Sequence, residues 1–316
     1  MFFRKPSSFE LAPVHHALAQ GQYEVAFAIL ERATEKHYDA AVQARLRLHL
    51  AATYALYGHE GLEGGWRALQ EAKSFYPETV REPLYRALYW EFCAHRGDPP
   101  AAVMRGALAV EDGAVASYHA ASALFLVGAS EEALRLLSAI LPQRLPGYLL
   151  WRRWSLMGQC YERLGDWSGA SDAFEQSASL SSGLDQQGEL LSLAASWLEA
   201  GRAHDTLSAL ANVDETLLTD PGERSVRYYL EGRAQLVLGN PHTALALFHN
   251  ARELEEQTQE PSYSLKLVIG QTLLELRQLA PALGALEEAI ALAPSPYRAF
   301  ILHEYAFALV EAERLE

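Results

Sequence analysis

The chain is poor in almost everything that reactive or membrane-spanning chemistry requires. Its 316 residues hold two cysteines, Cys93 and Cys160, far apart in sequence. No Cys-x-x-Cys pair, phosphate-binding glycine loop or Gly-x-Ser-x-Gly nucleophile elbow occurs, so the usual motifs for a metal, a nucleotide or an acyl-enzyme are missing. His15 and His16 are adjacent and would point about 100° apart on a helix. The positions four residues on are Ala19 and Gln20, which complete no metal site. Neither catalysis, a metal nor a cofactor is expected. No run approaches 18 uncharged apolar residues, so no membrane span is expected. The start, Met1-Phe2-Phe3-Arg4-Lys5-Pro6, lacks the apolar stretch of a signal peptide, and a cytoplasmic location is expected. Valine, isoleucine and threonine are too scattered for a large sheet.

What is abundant favours helix. Alanine, leucine, glutamate and arginine dominate, and half the residues are apolar with 21% charged, the balance of a folded soluble protein. The formal net charge of −14 would repel a phosphate backbone and steer basic partners inward. Nucleic-acid binding is therefore not expected. Glu253, Glu255, Glu256 and Glu260 read as a solvated edge.

A short phrase recurs along the chain. Glycine is followed five residues later by alanine at Gly21/Ala26, Gly97/Ala102, Gly128/Ala133, Gly165/Ala170 and Gly239/Ala244. Gly201/Thr206 is a looser copy, and Gly58 and Arg277 hold the glycine place in two degenerate ones. Most intervals are 36 to 39 residues, with one of 31. Such a period marks a stack of helical hairpins. The clearest copy has Trp154, Met157, Gly158 and Tyr161 at i, i+3, i+4, i+7, then Gly165-Asp166, then Trp167, Ala170, Phe174 and Ser177. Two helices of about 13 residues joined by a tight turn account for it. Gly158 and Ala170 are expected where the helices cross most closely, with Tyr161 and Phe174 filling the space around that contact. Both cysteines fall about one turn before a repeat glycine and read as buried core. Gly61, Gly64 and Gly65 are expected to loosen the second copy.

The arrangement Trp154-x2-Met157-Gly158-x2-Tyr161-x3-Gly165-x4-Ala170-x3-Phe174 closely resembles the tetratricopeptide repeat (TPR). The same grammar returns as Gly232, Gly239, Ala244, Phe248 and Ala251, and as Gly270, Leu273, Ala282, Leu286 and Ala289. The resemblance implies an all-α, right-handed superhelical solenoid of about eight hairpins plus a final helix. Its extent is read as a tail over 1–7 and a single solenoid over 8–316. The hairpins fall at about 8–40, 44–77, 83–112, 114–145, 151–182, 187–219, 224–257 and 263–295, with a terminal helix over 296–313. That helix is either a solubilising cap or the edge of a longer protein.

In TPR arrays the first helix of each hairpin lines a concave face where extended peptides lie. Counting back 10, 6, 3 and 2 residues from each repeat glycine gives the groove-facing places, for example Tyr229, Arg233, Leu236 and Val237, then Leu267, Gln271, Leu274 and Glu275. The lysine and asparagine set that clamps a peptide carboxylate in some relatives is absent. Two readings stay open. In one, Tyr118, Phe125, Tyr229 and Leu236 form apolar pockets, and Arg152, Gln159, Arg163, Arg233 and Gln271 fix a backbone or acidic group. In the other, tight winding or self-association buries them. The resemblance implies a non-enzymatic scaffold or adaptor with a protein or peptide partner, or alternatively the peptide-responsive sensor region of a signalling or transcriptional regulator. Apolar concave or terminal surfaces also allow copies to pair into a homo-oligomer.

Overall fold

The computed structural model describes residues 9–36, 38–110, 113–258 and 261–313. The expected tail over 1–7 and the position of Glu260 lie outside the described residues. Among the described residues there are seventeen α-helices and no strand. In chain order they are α1 (Ala12–Ala19), α2 (Tyr23–Thr34), α3 (Ala40–Tyr57), α4 (Leu62–Phe75), α5 (Pro83–His95), α6 (Pro100–Leu108), α7 (Ala114–Leu126), α8 (Ser130–Ala139) and α9 (Gly147–Arg163). They continue as α10 (Trp167–Leu180), α11 (Gly183–Glu199), α12 (Ala203–Ala211), α13 (Pro221–Val237), α14 (Pro241–Thr258), α15 (Tyr263–Glu275), α16 (Leu279–Leu292) and α17 (Ser295–Glu313). The chain divides into two compact units, Met1–Asp185 and Gln186–Glu316.

The hairpin turn follows from local chemistry. After α9, Gly165 takes φ +74°, and the Asp166 N–H reaches back to the Tyr161 carbonyl at 3.0 Å. This closes the helix with a left-handed residue. The Asp166 carboxylate then accepts from the Gly169 N–H at 2.9 Å and caps α10. The degenerate copy shows that the fold, not the residue, imposes this geometry. Arg277 stands at φ +59°, and the Gln278 N–H bonds the Leu273 carbonyl at 2.9 Å in the same closure. An L side chain in that region costs about 1–2 kcal/mol, partly offset by the extra unfolded-state freedom of glycine. Arg277→Gly should therefore raise the unfolding free energy by about 0.5–1 kcal/mol, and Gly165→Ala should lower it by about 1–2 kcal/mol. Denaturant melts that move the other way would contradict the closure described.

Packing repeats with the same period. Ala26, Ala133, Ala170, Thr206, Ala244 and Ala282 have no exposed surface. Ala102 differs: it is half-buried, and its neighbour Val103 is fully buried instead. The cause is Pro99-Pro100. A residue before proline is pushed out of the helical region, Pro99 sits at ψ +122°, and α6 starts one residue late. Gly158 meets the ring of Phe174, where an added Cβ would lie 2.7 Å from the ring edge. Gly232 meets Phe248 and Gly270 meets Leu286 in the same way.

Several expectations need correction. Gly64 and Gly65 lie within the continuous α4, where Cβ atoms would collide with Tyr54 and Phe92 at 2.9 and 2.4 Å. They permit close approach rather than loosen the helix. Glu255 is not a solvated charge: it is half-buried and accepts the Ser262 N–H at 3.0 Å, and burial raises its carboxyl pKa. The outward side of α17 exposes Phe300, Leu302, Phe307, Leu309 and Val310. Both cysteines are buried free thiols as expected, and desolvation pushes them up to about 11 at Cys93 and about 12 at Cys160.

Candidate partner-binding grooves

In the first unit the winding is tight enough for the first hairpin to touch the fifth. The ring of His15 on α1 lies 5.2 Å from that of Tyr148 on α9. Tyr23, at the start of α2, presents its hydroxyl to the guanidinium of Arg152. Arg152 also donates to the Tyr148 carbonyl at 2.6 Å, approaches Asp185 at 3.8 Å and lies 4.1 Å over the Trp151 ring. Tyr118 on α7 is buried in the same interior, and desolvation raises its hydroxyl pKa well above the ordinary value while Arg152 opposes that rise. Nearby, Glu91 on α5 and His119 on α7 form a buried pair at 2.7 Å.

For Tyr118 and Arg152 two readings were open, an exposed groove or burial by tight winding. The structure places both inside the first unit, because the first hairpin reaches α9 and covers them. Phe125, Gln159 and Arg163 remain nearer the surface. Arg163 lies 3.5 Å above the Phe125 ring and donates to the Phe125 carbonyl. Gln159 reaches Ser155 at 3.4 Å.

The second unit is open where the first is filled. Tyr229, Arg233, Leu236 and Gln271 are all half-buried. Arg233 is paired with Glu199 at 2.7 Å and lies 5.8 Å from the Tyr229 ring centre. Each of the three arginines expected to fix an acidic group thus already has a partner within its own unit. A cavity of about 650 Å³ lies between α13, α15 and α17, lined by Leu236, Gln271, Leu274, Glu275, Glu304 and Phe307 among others. Four of these are places reached by counting back from the repeat glycine. Glu304 and Phe307 were missed because α17 has no following glycine from which to count. A smaller cavity of about 360 Å³ lies beside Tyr229, with Ser225, Val226 and Glu255 on its wall.

No family model matches the chain, and no curated protein matches it by sequence. Solved structures do. The chain is similar to the crystal structure of the APC/C hetero-tetramer Cut9–Hcn1, at 15% identity and a TM-score of 0.57, over 95% of this chain and 56% of that one. It therefore spans little more than half the length of that relative. The human IFIT1 dimer with PPP-AAAA aligns at 18% identity and a TM-score of 0.51, over 87% of this chain and 69% of that one. A thermophilic TPR protein of Thermus thermophilus aligns at 16% identity and a TM-score of 0.46, over 63% of this chain and all of that one. The chain has the tetratricopeptide-repeat fold. In TPR terms, the filled interior of the first unit and the cavity of the second are both bordered by first helices of hairpins. Among the described residues no group of three His, Cys, Asp or Glu side chains gathers as a metal site. No described helix is long and apolar enough to cross a membrane.

Proposed function

We propose that the chain is a non-enzymatic TPR scaffold that captures an extended segment of a protein partner in the groove of its second unit. The observation that carries this reading is the cavity between α13, α15 and α17. Leu236, Leu274 and Phe307 supply apolar walls, Gln271 offers both a donor and an acceptor to a passing backbone, and Glu275 and Glu304 place two carboxylates at the rim against the single guanidinium of Arg277. The chemistry that fits is an apolar side chain next to a lysine or arginine. A net charge of −14 would steer such a segment inward.

The test is fluorescence anisotropy on a labelled peptide library that pairs apolar with basic residues. The tightest binders should lose at least about tenfold in affinity, or 1.4 kcal/mol, with Leu236→Asp, and should weaken as salt is raised. Unchanged binding by that variant, or a preference for acidic peptides, would sink the reading.

A further inference from the structure

The last helix of the second unit carries a surface that shares only Phe307 with the groove cavity. Helix α17 buries Ile301 and Ala308 against the repeats before it, stacks Tyr297 on Tyr263 and bonds Glu287 of α16 through the Tyr305 hydroxyl at 2.6 Å. On the other side it exposes Phe300, Leu302, Phe307, Leu309 and Val310, with Phe300 at 54% and Phe307 at 58%. With Tyr297, that makes six large apolar side chains exposed on one helix, and among the described residues no other helix exposes more than two. Ala299, His303 and Ala306 complete the outward face; between Ala299 and Val310 the one charged residue is Glu304, half-buried beside the cavity, and Arg298 is exposed just before this stretch. An apolar face of this kind marks an interaction site.

The order of side chains along it selects the occupant. Ala299, His303, Ala306 and Val310 follow 4-3-4 spacing, the seam of a helix pair. Phe300 and Phe307 flank the seam on one side, Leu302 and Leu309 on the other. A two-fold axis across an antiparallel pair brings like flank to like flank with the order reversed. Ala299 then meets the partner's Val310, and His303 meets the partner's Ala306. Phe300 meets the partner's Phe307, and Leu302 meets the partner's Leu309. Small residues oppose larger ones along the seam, so the helices can approach closely, and aromatic and leucine pairs close the two edges. The face is complementary to itself, which is what an isologous interface demands.

Within residues 299–310 each copy brings one carboxylate, Glu304, which is set back from the seam beside the cavity. Side chains of this size, about half exposed, offer on the order of 500 Å² per copy and about 1,000 Å² in a pair, the lower bound of a specific interface. We propose that two copies of this chain associate through the outward face of α17, as an antiparallel helix pair in micromolar equilibrium.

Sedimentation velocity across the micromolar range tests this. The wild-type mass should rise with concentration from 35.0 kDa towards twice that value. Ala306→Glu, and separately Leu302→Glu with Leu309→Glu, should hold the protein at the monomer mass with unchanged helical circular dichroism. These positions are exposed and do not line the groove cavity, so loss of pairing and loss of peptide binding are separable. A wild-type chain that stays monomeric to about 100 µM overturns the proposal, as does a pair that survives both sets of glutamates.

Discussion

Phe174→Ala should lower the unfolding free energy by about 3–5 kcal/mol, the range for removing a fully buried phenylalanine. The ring is 1% exposed and lies on Gly158 where α9 and α10 cross, so surrounding side chains can fill the void only in part. A sign reversal makes the result specific to this contact. In the wild type, Gly158→Ala forces a methyl to 2.7 Å from the ring and should cost about 1–3 kcal/mol through overpacking. In the Phe174→Ala background the same change has room, and alanine's helix propensity should make it stabilising by up to about 1 kcal/mol. Because repeats contact mainly their neighbours, faster hydrogen exchange should centre on α9 and α10. Equal effects of Gly158→Ala in both backgrounds would remove the argument.

Glu91→Ala should cost about 1–3 kcal/mol, because it leaves the buried His119 Nδ1 without its hydrogen-bond partner. Glu91 and His119 have side-chain exposures of 4% and 1%, and the His119 Nε2 is already buried without a hydrogen-bond partner. The pair therefore contributes less than its geometry suggests. Replacing both groups, Glu91→Leu with His119→Phe, should return stability to within about 1 kcal/mol of wild type, since no polar atom is then left unsatisfied. Denaturant midpoints for the two single variants and the double variant check this. A double variant as unstable as Glu91→Ala alone would show that the pair is needed for packing α5 against α7.

Much of the architecture was legible because it rests on short-range rules. Gly165-Asp166 ends one helix and caps the next through atoms no more than five residues apart. Even Arg277, chemically wrong for its place, was recognisable from its distance to the preceding mark at Gly239. The buried alanines, the thiols and the contact of Gly158 with Phe174 follow from the same period. Pro99-Pro100 shows how that reasoning slips. The glycine mark was intact, but a proline delayed α6 by one residue and moved the buried place from Ala102 to Val103.

The candidate site was legible only in half. One counting rule selected inward-facing residues in every repeat, and it found Leu236 and Gln271 at the second unit's cavity. It also selected Tyr118, which the first unit buries. The sequence by itself determined the helices, their turns and which side of each helix looks inward, since these depend on residues within one hairpin. Only the tertiary structure decided that the first unit closes while the second keeps a cavity. That closure rests on Tyr23 meeting Arg152 across 129 residues. It is the sum of small rotations at successive hairpin contacts, and no single repeat encodes that sum.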